Sequence, residues 1–269
     1  MSAAVSHRGR VKCLWFVFVF LLAGCEQDES LPEQEITEFH PRKEVTETSL
    51  PDFSQITDVS QKKEAFFGFL LPLIEEANAE IILEREQLQA MLNAEKLSAT
   101  EKSRLHTLVK KYRVNTLGAK AQIRRLLEKV NTLPPSLAMA QAANESAWGT
   151  SRFATQGNNL FGQWCFTKGC GLVPEYRADE ERHEVAVFRN PYQSVRSYML
   201  NLNRHKEYAD LREMRHDEIS QLGYSTGLTL AGGLTGYSAR GEEYVEELRS
   251  MIRYNSLERF DHPSSDQQP

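Results

Sequence analysis

The chain has 269 residues, 41% of them hydrophobic and 26% charged, which fits one large water-soluble domain with appendages and neither a disordered nor an integral membrane chain. The net charge is −5, and the first 24 residues hold Arg8, Arg10 and Lys12 but no acid, so the remainder stands at −8. An acidic surface of that size argues against nucleic acid as a partner, because phosphate neutralisation needs clustered Lys and Arg.

The N-terminus comes first in chain order. Three basic residues precede the run Cys13-Leu-Trp-Phe-Val-Phe-Val-Phe-Leu-Leu-Ala-Gly24, which has the basic and apolar regions of a secretory signal peptide. As a helix the run reaches about 18 Å, short of the ~30 Å hydrocarbon core, so it reads as a signal rather than a span. It ends Leu22-Ala23-Gly24-Cys25, which looks like a bacterial lipobox: segment 1–24 is cut away and Cys25 is acylated. A plain signal peptide with an incidental Cys25 is the competing reading. Acyl chains contribute ~0.8 kcal/mol per buried CH₂, so several on one cysteine make a lasting membrane anchor. Glu26, not aspartate, follows the cysteine, which directs the expectation to the outer membrane. The chain is expected in the cell envelope, lipid-anchored and facing the periplasm.

Residues 25–60 are rich in Glu and Asp, contain Pro32, Pro41 and Pro51, and show no sustained apolar period. They read as an acidic disordered tether. The folded domain is predicted over 61–260, with a polar tail at 261–269. Its first helix carries Phe66, Leu70, Ile74, Ala77, Ile81 and Leu88 at three- and four-residue spacing, and Pro72 marks either a kink or the true start. Two more amphipathic helices are predicted over 98–112 and 117–130. These apolar stripes are core.

Leu133-Pro134-Pro135 opens the next helix, with prolines where missing donors do no harm. The segment Ser136-Leu-Ala-Met-Ala-Gln-Ala-Ala143 is apolar nearly all round and predicts a central buried helix. It runs into Asn144-Glu145-Ser146-Ala147-Trp148-Gly149, where Gly149 is a natural stop. A carboxylate there has two reasons for a raised pKa: burial disfavours the anion, and so does the negative end of the helix dipole. A glutamate that stays protonated near neutrality is what leaving-group protonation in glycoside hydrolysis requires.

Beyond Gly162 the pattern changes to short strands, 171–177 and 182–188, around Asp179, Glu180 and Glu181. Asn190-Pro191 then caps a helix with Val195, Tyr198, Met199 and Leu202 on one face. In an oxidising compartment Cys165 and Cys170 suggest a small disulfide loop worth about 2 kcal/mol. A zinc pair is the alternative, but zinc needs two further ligands and only His183 is near. No metal and no cofactor are expected.

Four segments in order carry a resemblance: Pro135 to Gly149, Asn158-Asn-Leu-Phe-Gly162, Phe188-Arg-Asn-Pro-Tyr-Gln-Ser-Val-Arg-Ser-Tyr198, and Gly236-Tyr237 before Tyr244. Together they resemble the bacterial glucosaminidase domain of glycoside hydrolase family 73. The Gln-Trp-Cys-Phe, Asn-Leu-Asn-Arg-His and Tyr-Ser-Ala-Arg-Gly segments are similar to its Bax-like branch. The resemblance spans about 65–260 and implies a mainly α domain with a small β-hairpin lobe (α+β), a lysozyme-like two-lobed fold around a glycan cleft. It implies an endo-β-N-acetylglucosaminidase acting on peptidoglycan as a monomer, with Glu145 as general acid. A lytic transglycosylase and a catalytically silent peptidoglycan-binding lipoprotein are the alternatives.

Candidates to bind sugar are Trp148, Phe161, Trp164 and Tyr237 through their rings, and Asn158 and Asn159 through hydrogen bonds. Core packing, or holding a turn, is the competing role for each; for Tyr244 packing is favoured. The family places a second carboxylate on the β-lobe. Glu175 ranks first and Glu184 second, with a substrate-assisted reaction as the alternative to both.

Overall fold

The computed structural model describes residues 36–175 and 182–262. Segment 1–24, Cys25, the first part of the tether, the turn residues Asp179, Glu180 and Glu181, and 263–269 lie outside the described residues. Among the described residues the chain is mainly helical with one small antiparallel sheet, the lysozyme-like α+β arrangement the sequence predicts. No described helix is long and apolar enough to cross a membrane.

Helix α2 (Val59–Asn93) frames the domain, a rod of about 52 Å at 1.5 Å per residue. It starts where the Asp58 side chain accepts from the Gln61 amide at 2.8 Å, so Pro72 is internal and not the start. The carbonyl that Pro72 leaves without a donor belongs to Gly68, which is exposed to water. The predicted stripe from Phe66 to Leu88 is buried.

A second set of α2 residues, Glu76, Glu80 and Glu84, is also buried. Buried carboxylates cost several kcal/mol unless paired, and each of these is. Glu76 accepts from Arg42 at 2.5 Å, and Glu80 from Arg196 at 2.5 Å and Lys111 at 3.2 Å. Glu84 accepts from Lys111 at 2.9 Å and the Tyr112 hydroxyl at 2.6 Å. Burial pushes the Glu80 carboxyl up, but Arg196 and Lys111 outweigh it and hold the group below its ordinary value. Four-residue spacing thus pins α2 against α3 (Ala99–Lys111) and α7 (Pro191–Arg204). Helix α3 opens on a capping box between Ser98 and Glu101 that the sequence analysis did not name, and α7 on the predicted cap Asn190.

Both predicted domain boundaries fall too far inward. Val45 of α1 (Lys43–Thr46) and Phe53 of a 3-10 turn (Phe53–Gln55) are buried, Phe53 edge-on to Phe66 at 5.4 Å. Residues 36–60 therefore lie on the domain, and their few apolar side chains are too sparse to show a period. At the other end Asp261 is buried, not tail. Its carboxylate accepts from the Ser136 amide at 2.9 Å, the Ser136 hydroxyl at 2.6 Å and the Gly227 amide at 2.9 Å. It thereby caps the start of α5 (Pro135–Ser146) and seats α9 (Gly227–Ala231) against it. A Cβ on Gly227 would stand 2.1 Å from the Ser136 hydroxyl, so this approach requires glycine.

Helix α5 is central, buried from Ser136 to Ala143, as its composition predicts. Helices α4 (Ala119–Lys129), α6 (Arg152–Gly157), α8 (Ala209–Leu222) and α10 (Glu242–Tyr254) complete the described longer helices. The small lobe differs from the predicted hairpin. It has three strands, β1 (Trp164–Cys165), β2 (Gly171–Leu172) and β3 (Glu184–Ala186), in the order β1-β3-β2. Both outer strands are antiparallel to β3, with Trp164 opposite Val185 and Gly171 opposite Ala186. A Cβ on Gly171 would stand 2.0 Å from the Val185 carbonyl oxygen, which is why the strand begins on glycine. Strands this short show too little alternation to be read from sequence.

Candidate active site

Helix α5 ends abruptly, and the ending positions Glu145. After Ser146, residues Ala147, Trp148 and Gly149 all take positive φ (50°, 59° and 76°). Left-handed backbone costs roughly 1–2 kcal/mol at each non-glycine residue, so surrounding contacts must hold it. The Trp148 amide donates to the Ala143 carbonyl at 3.0 Å, and the Gly149 amide to the Ser146 hydroxyl at 2.8 Å. The Trp148 ring packs edge-on against Phe66 (5.8 Å) and Phe67 (5.4 Å), with Lys63 Nζ 5.1 Å from its centroid. A Cβ on Gly149 would meet Phe53 at 2.7 Å, so both its φ and its space demand glycine. Trp148 therefore fastens the turn to α2 and α5, and its predicted sugar contact has no support in this packing.

Glu145 is half-buried in the last turn of α5. The Tyr244 hydroxyl, on α10, donates to its Oε1 at 2.8 Å. That hydroxyl accepts from Gln141 Nε2 at 3.0 Å, and Gln141 Oε1 accepts from the Tyr198 hydroxyl at 2.6 Å. Three helices thus contribute to one chain of bonds ending on the carboxyl group. Burial raises the Glu145 pKa; the Tyr244 bond opposes this, and the charge of Glu247 on α10 adds to it. Burial also raises Tyr198, Tyr237 and Tyr244 well above ordinary phenols, so all three remain neutral hydroxyls. Arg240 Nη1 donates to Glu247 at 2.6 Å and holds that charge in place.

The Asn158-to-Gly162 loop approaches from the small-lobe side. Asn158 and Gly162 take positive φ (49° and 62°), and a Cβ on Gly162 would stand 3.6 Å from Glu145 Oε2. The positive φ is what calls for glycine at 162, and the loop backbone passes beside the second carboxyl oxygen. The two asparagines are occupied by the fold. Asn158 Nδ2 donates to the Phe188 carbonyl at 3.0 Å, and Asn159 Nδ2 to the Gln163 and Ala186 carbonyls at 2.9 Å each. Asn159 Oδ1 accepts from the Gln163 amide at 3.0 Å, so this buried side chain ties the loop to β3.

Phe161 is buried and stacks on Tyr198 at 4.0 Å, which places it in the core. Its carbonyl accepts from the Tyr237 hydroxyl at 2.9 Å, and the Tyr237 ring stacks parallel to Tyr244 at 5.6 Å. Tyr237 therefore stands beside the Glu145–Tyr244 pair. Trp164 is 58% exposed on β1 and stacks on His183 at 3.9 Å; Phe166, which the sequence reading passed over, is 75% exposed nearby in the chain.

Both β-lobe carboxylates meet partners other than Glu145. Glu184 is buried, its oxygens accepting from the Gly169 amide at 2.9 Å and the Gly171 amide at 2.8 Å. Glu175 is exposed beyond β2, 3.7 Å from Arg152 Nε. Cys165 and Cys170 are joined in a disulfide, Cα atoms 6.2 Å apart. With Glu184 they form the metal-like grouping found among the described residues, but sulfurs bonded to each other offer no thiolates.

Sequence reading missed Gln141 and Tyr198 as site residues and ranked Tyr244 as packing. A signal existed for Gln141: it is the polar residue within the run Leu137 to Ala143, one turn before Glu145 and so on the same face.

The glucosaminidase family model, described as mannosyl-glycoprotein endo-beta-N-acetylglucosaminidase, matches residues 120–257. Protein bax of Escherichia coli (strain K12) is 32% identical over 218 residues, 80% of this chain and 78% of the relative. Exo-glucosaminidase LytG of Bacillus subtilis (strain 168) is 26% identical over 141 residues, about half of each chain. No solved structure gives a significant match.

Proposed function

The chain belongs to the glucosaminidase family, and from that premise we propose that it is an endo-β-N-acetylglucosaminidase that cuts peptidoglycan glycan strands with Glu145 as proton donor. The observation that carries this reading is the Tyr244–Glu145 hydrogen bond at the buried end of α5. It orients one oxygen of a carboxyl group whose pKa burial raises, leaving Oε2 beside Gly162 to meet a glycosidic oxygen. General acid catalysis of this kind contributes ~10²–10⁴ in rate. Trp164 offers an exposed ring face for a sugar, and Tyr237 stands next to the acid.

The second group is assigned to the substrate's own N-acetyl oxygen. Both oxygens of Glu184 serve backbone amides, and Glu175 is exposed beside Arg152, which favours assistance over a lobe carboxylate. The acetamido oxygen attacks the anomeric carbon as Glu145 protonates the departing oxygen. Water then opens the resulting ring, with Glu145 returning as base, so the configuration is retained.

The address follows the sequence. Cys25 anchors the protein by acyl chains to the outer membrane, facing the periplasm, and the domain acts there as a monomer. Reducing-end analysis of digested sacculi tests the reaction: new N-acetylglucosamine ends are expected. Anhydro-muramic ends would replace this reading with a lytic transglycosylase, and no cleavage with a wall-binding lipoprotein.

A further inference from the structure

We infer that a cavity bounded by the end of α4, by α8 and by Arg85 of α2 is a binding site for a phosphate-bearing ligand, separate from the Glu145 site. The cavity holds about 590 Å³, within the ~300–1,000 Å³ of small-molecule sites. Its walls carry five formal cations, Arg85, Arg125, Lys129, Arg212 and Arg215, together with His216, against two carboxylates, Glu128 and Glu213. That excess of positive charge sits in a chain whose net charge is −5.

Part of this lining serves the fold. Arg215 is 1% exposed and donates to the carbonyls of Lys129 (2.9 Å), Asn131 (3.0 Å) and Thr132 (3.2 Å) and to Asn203 Oδ1 (2.7 Å). Lys129 Nζ donates to the Tyr112 and Arg204 carbonyls at 3.0 and 3.2 Å. These acceptors are neutral dipoles at the C-terminal end of α4 and in neighbouring chain, so they orient the cations without cancelling their charge. The cost is visible in Arg215, whose pKa burial, Arg212 and Arg85 lower to about 9. Burial and then Arg212, Arg125 and Arg113 likewise lower Lys129.

The fold uses the rest only in part. Arg85 Nη1 donates to the Leu127 and Val130 carbonyls, and Arg212 Nη1 to those of Leu202 and His205. Among the described residues, these guanidinium groups bond the protein through Nη1 alone, which leaves Nε and Nη2 of each for a ligand. Among the described residues Arg125 is paired with Glu128 alone, and both Arg125 and His216 are exposed. Planar forks fixed on one nitrogen and open on the others suit an oxyanion held at two points. An excess of three formal charges is met better by a phosphate dianion than by one carboxylate.

Calorimetric titration of the full chain tests this at constant ionic strength, with inorganic pyrophosphate and with dihexanoyl phosphatidic acid below its micelle concentration, and acetate as control. Saturable binding of one or both phosphates is expected, with no binding of acetate. The Arg125→Gln/His216→Gln double variant, both positions exposed, should bind at least tenfold more weakly at unchanged melting temperature. Preference for pyrophosphate identifies a soluble phosphate as the natural ligand, and preference for the lipid a membrane headgroup. No saturable binding of either phosphate, equal binding of acetate, or unchanged affinity in the double variant overturns the proposal.

Discussion

Tyr244 donates a 2.8 Å hydrogen bond to Oε1 of Glu145 across 99 positions of sequence. The bond both orients the carboxyl group and stabilises its anion, and these two effects act on rate and pH dependence in separable ways.

Tyr244→Phe tests the separation. Losing a hydrogen bond to a charged group costs ~1.5–3 kcal/mol, and the bond lowers the Glu145 pKa against the larger, raising effect of burial. Without it Glu145 stays protonated to higher pH. The pH–rate profile should keep its shape with the basic limb moved upward, while the maximal rate falls roughly tenfold or more from lost orientation. A basic limb that stays in place would show that Glu145 does not set it.

Glu145→Gln should reduce cleavage of sacculi by about 10²–10⁴-fold, the range of general acid catalysis, with the far-ultraviolet spectrum unchanged. Its stability effect has a definite sign. A carboxyl whose folded pKa is raised contributes stability that is present below the unfolded pKa and lost as pH rises through the folded value. The glutamine variant lacks that loss, so its melting temperature at neutral pH should equal or exceed the parent's. Glu247→Gln removes a charge that raises the Glu145 pKa. Its basic limb should move downward, opposite to Tyr244→Phe.

The two β-lobe glutamates should part ways. Glu184→Gln leaves one of two backbone amides facing an NH₂ group, so it should destabilise the domain by roughly 1–3 kcal/mol, measured by chemical denaturation. Glu175→Gln should leave stability and cleavage rate within a few-fold of the parent, and the first product should retain its anomeric configuration. Inversion, or a large loss at Glu175, would assign a lobe carboxylate as base.

Cys25→Ala should shift the protein from the membrane fraction to the soluble one, or leave it uncleaved. Equal membrane recovery of both forms would remove the acyl anchor from the reading.

Local patterns in the chain were enough to mark α5 as buried and to put Glu145 at its end, because an unbroken apolar run and a terminal glycine are read within fifteen residues. The α2 stripe, the cap Asn190 and the close Cys165–Cys170 spacing are legible for the same reason. The partners of Glu145 are not. Tyr244 and Tyr198 look like ordinary core aromatics until three helices cross. Whether Glu184 faces a sugar or the Gly169 and Gly171 amides depends on a three-residue strand and a loop that bends back on it. Asp261 reads as tail because its partner Ser136 lies 125 residues away. Periodicity records which face of an element is buried, but not which distant polar group waits there, since one long-range hydrogen bond leaves no repeat in the sequence and is decided only when the elements pack.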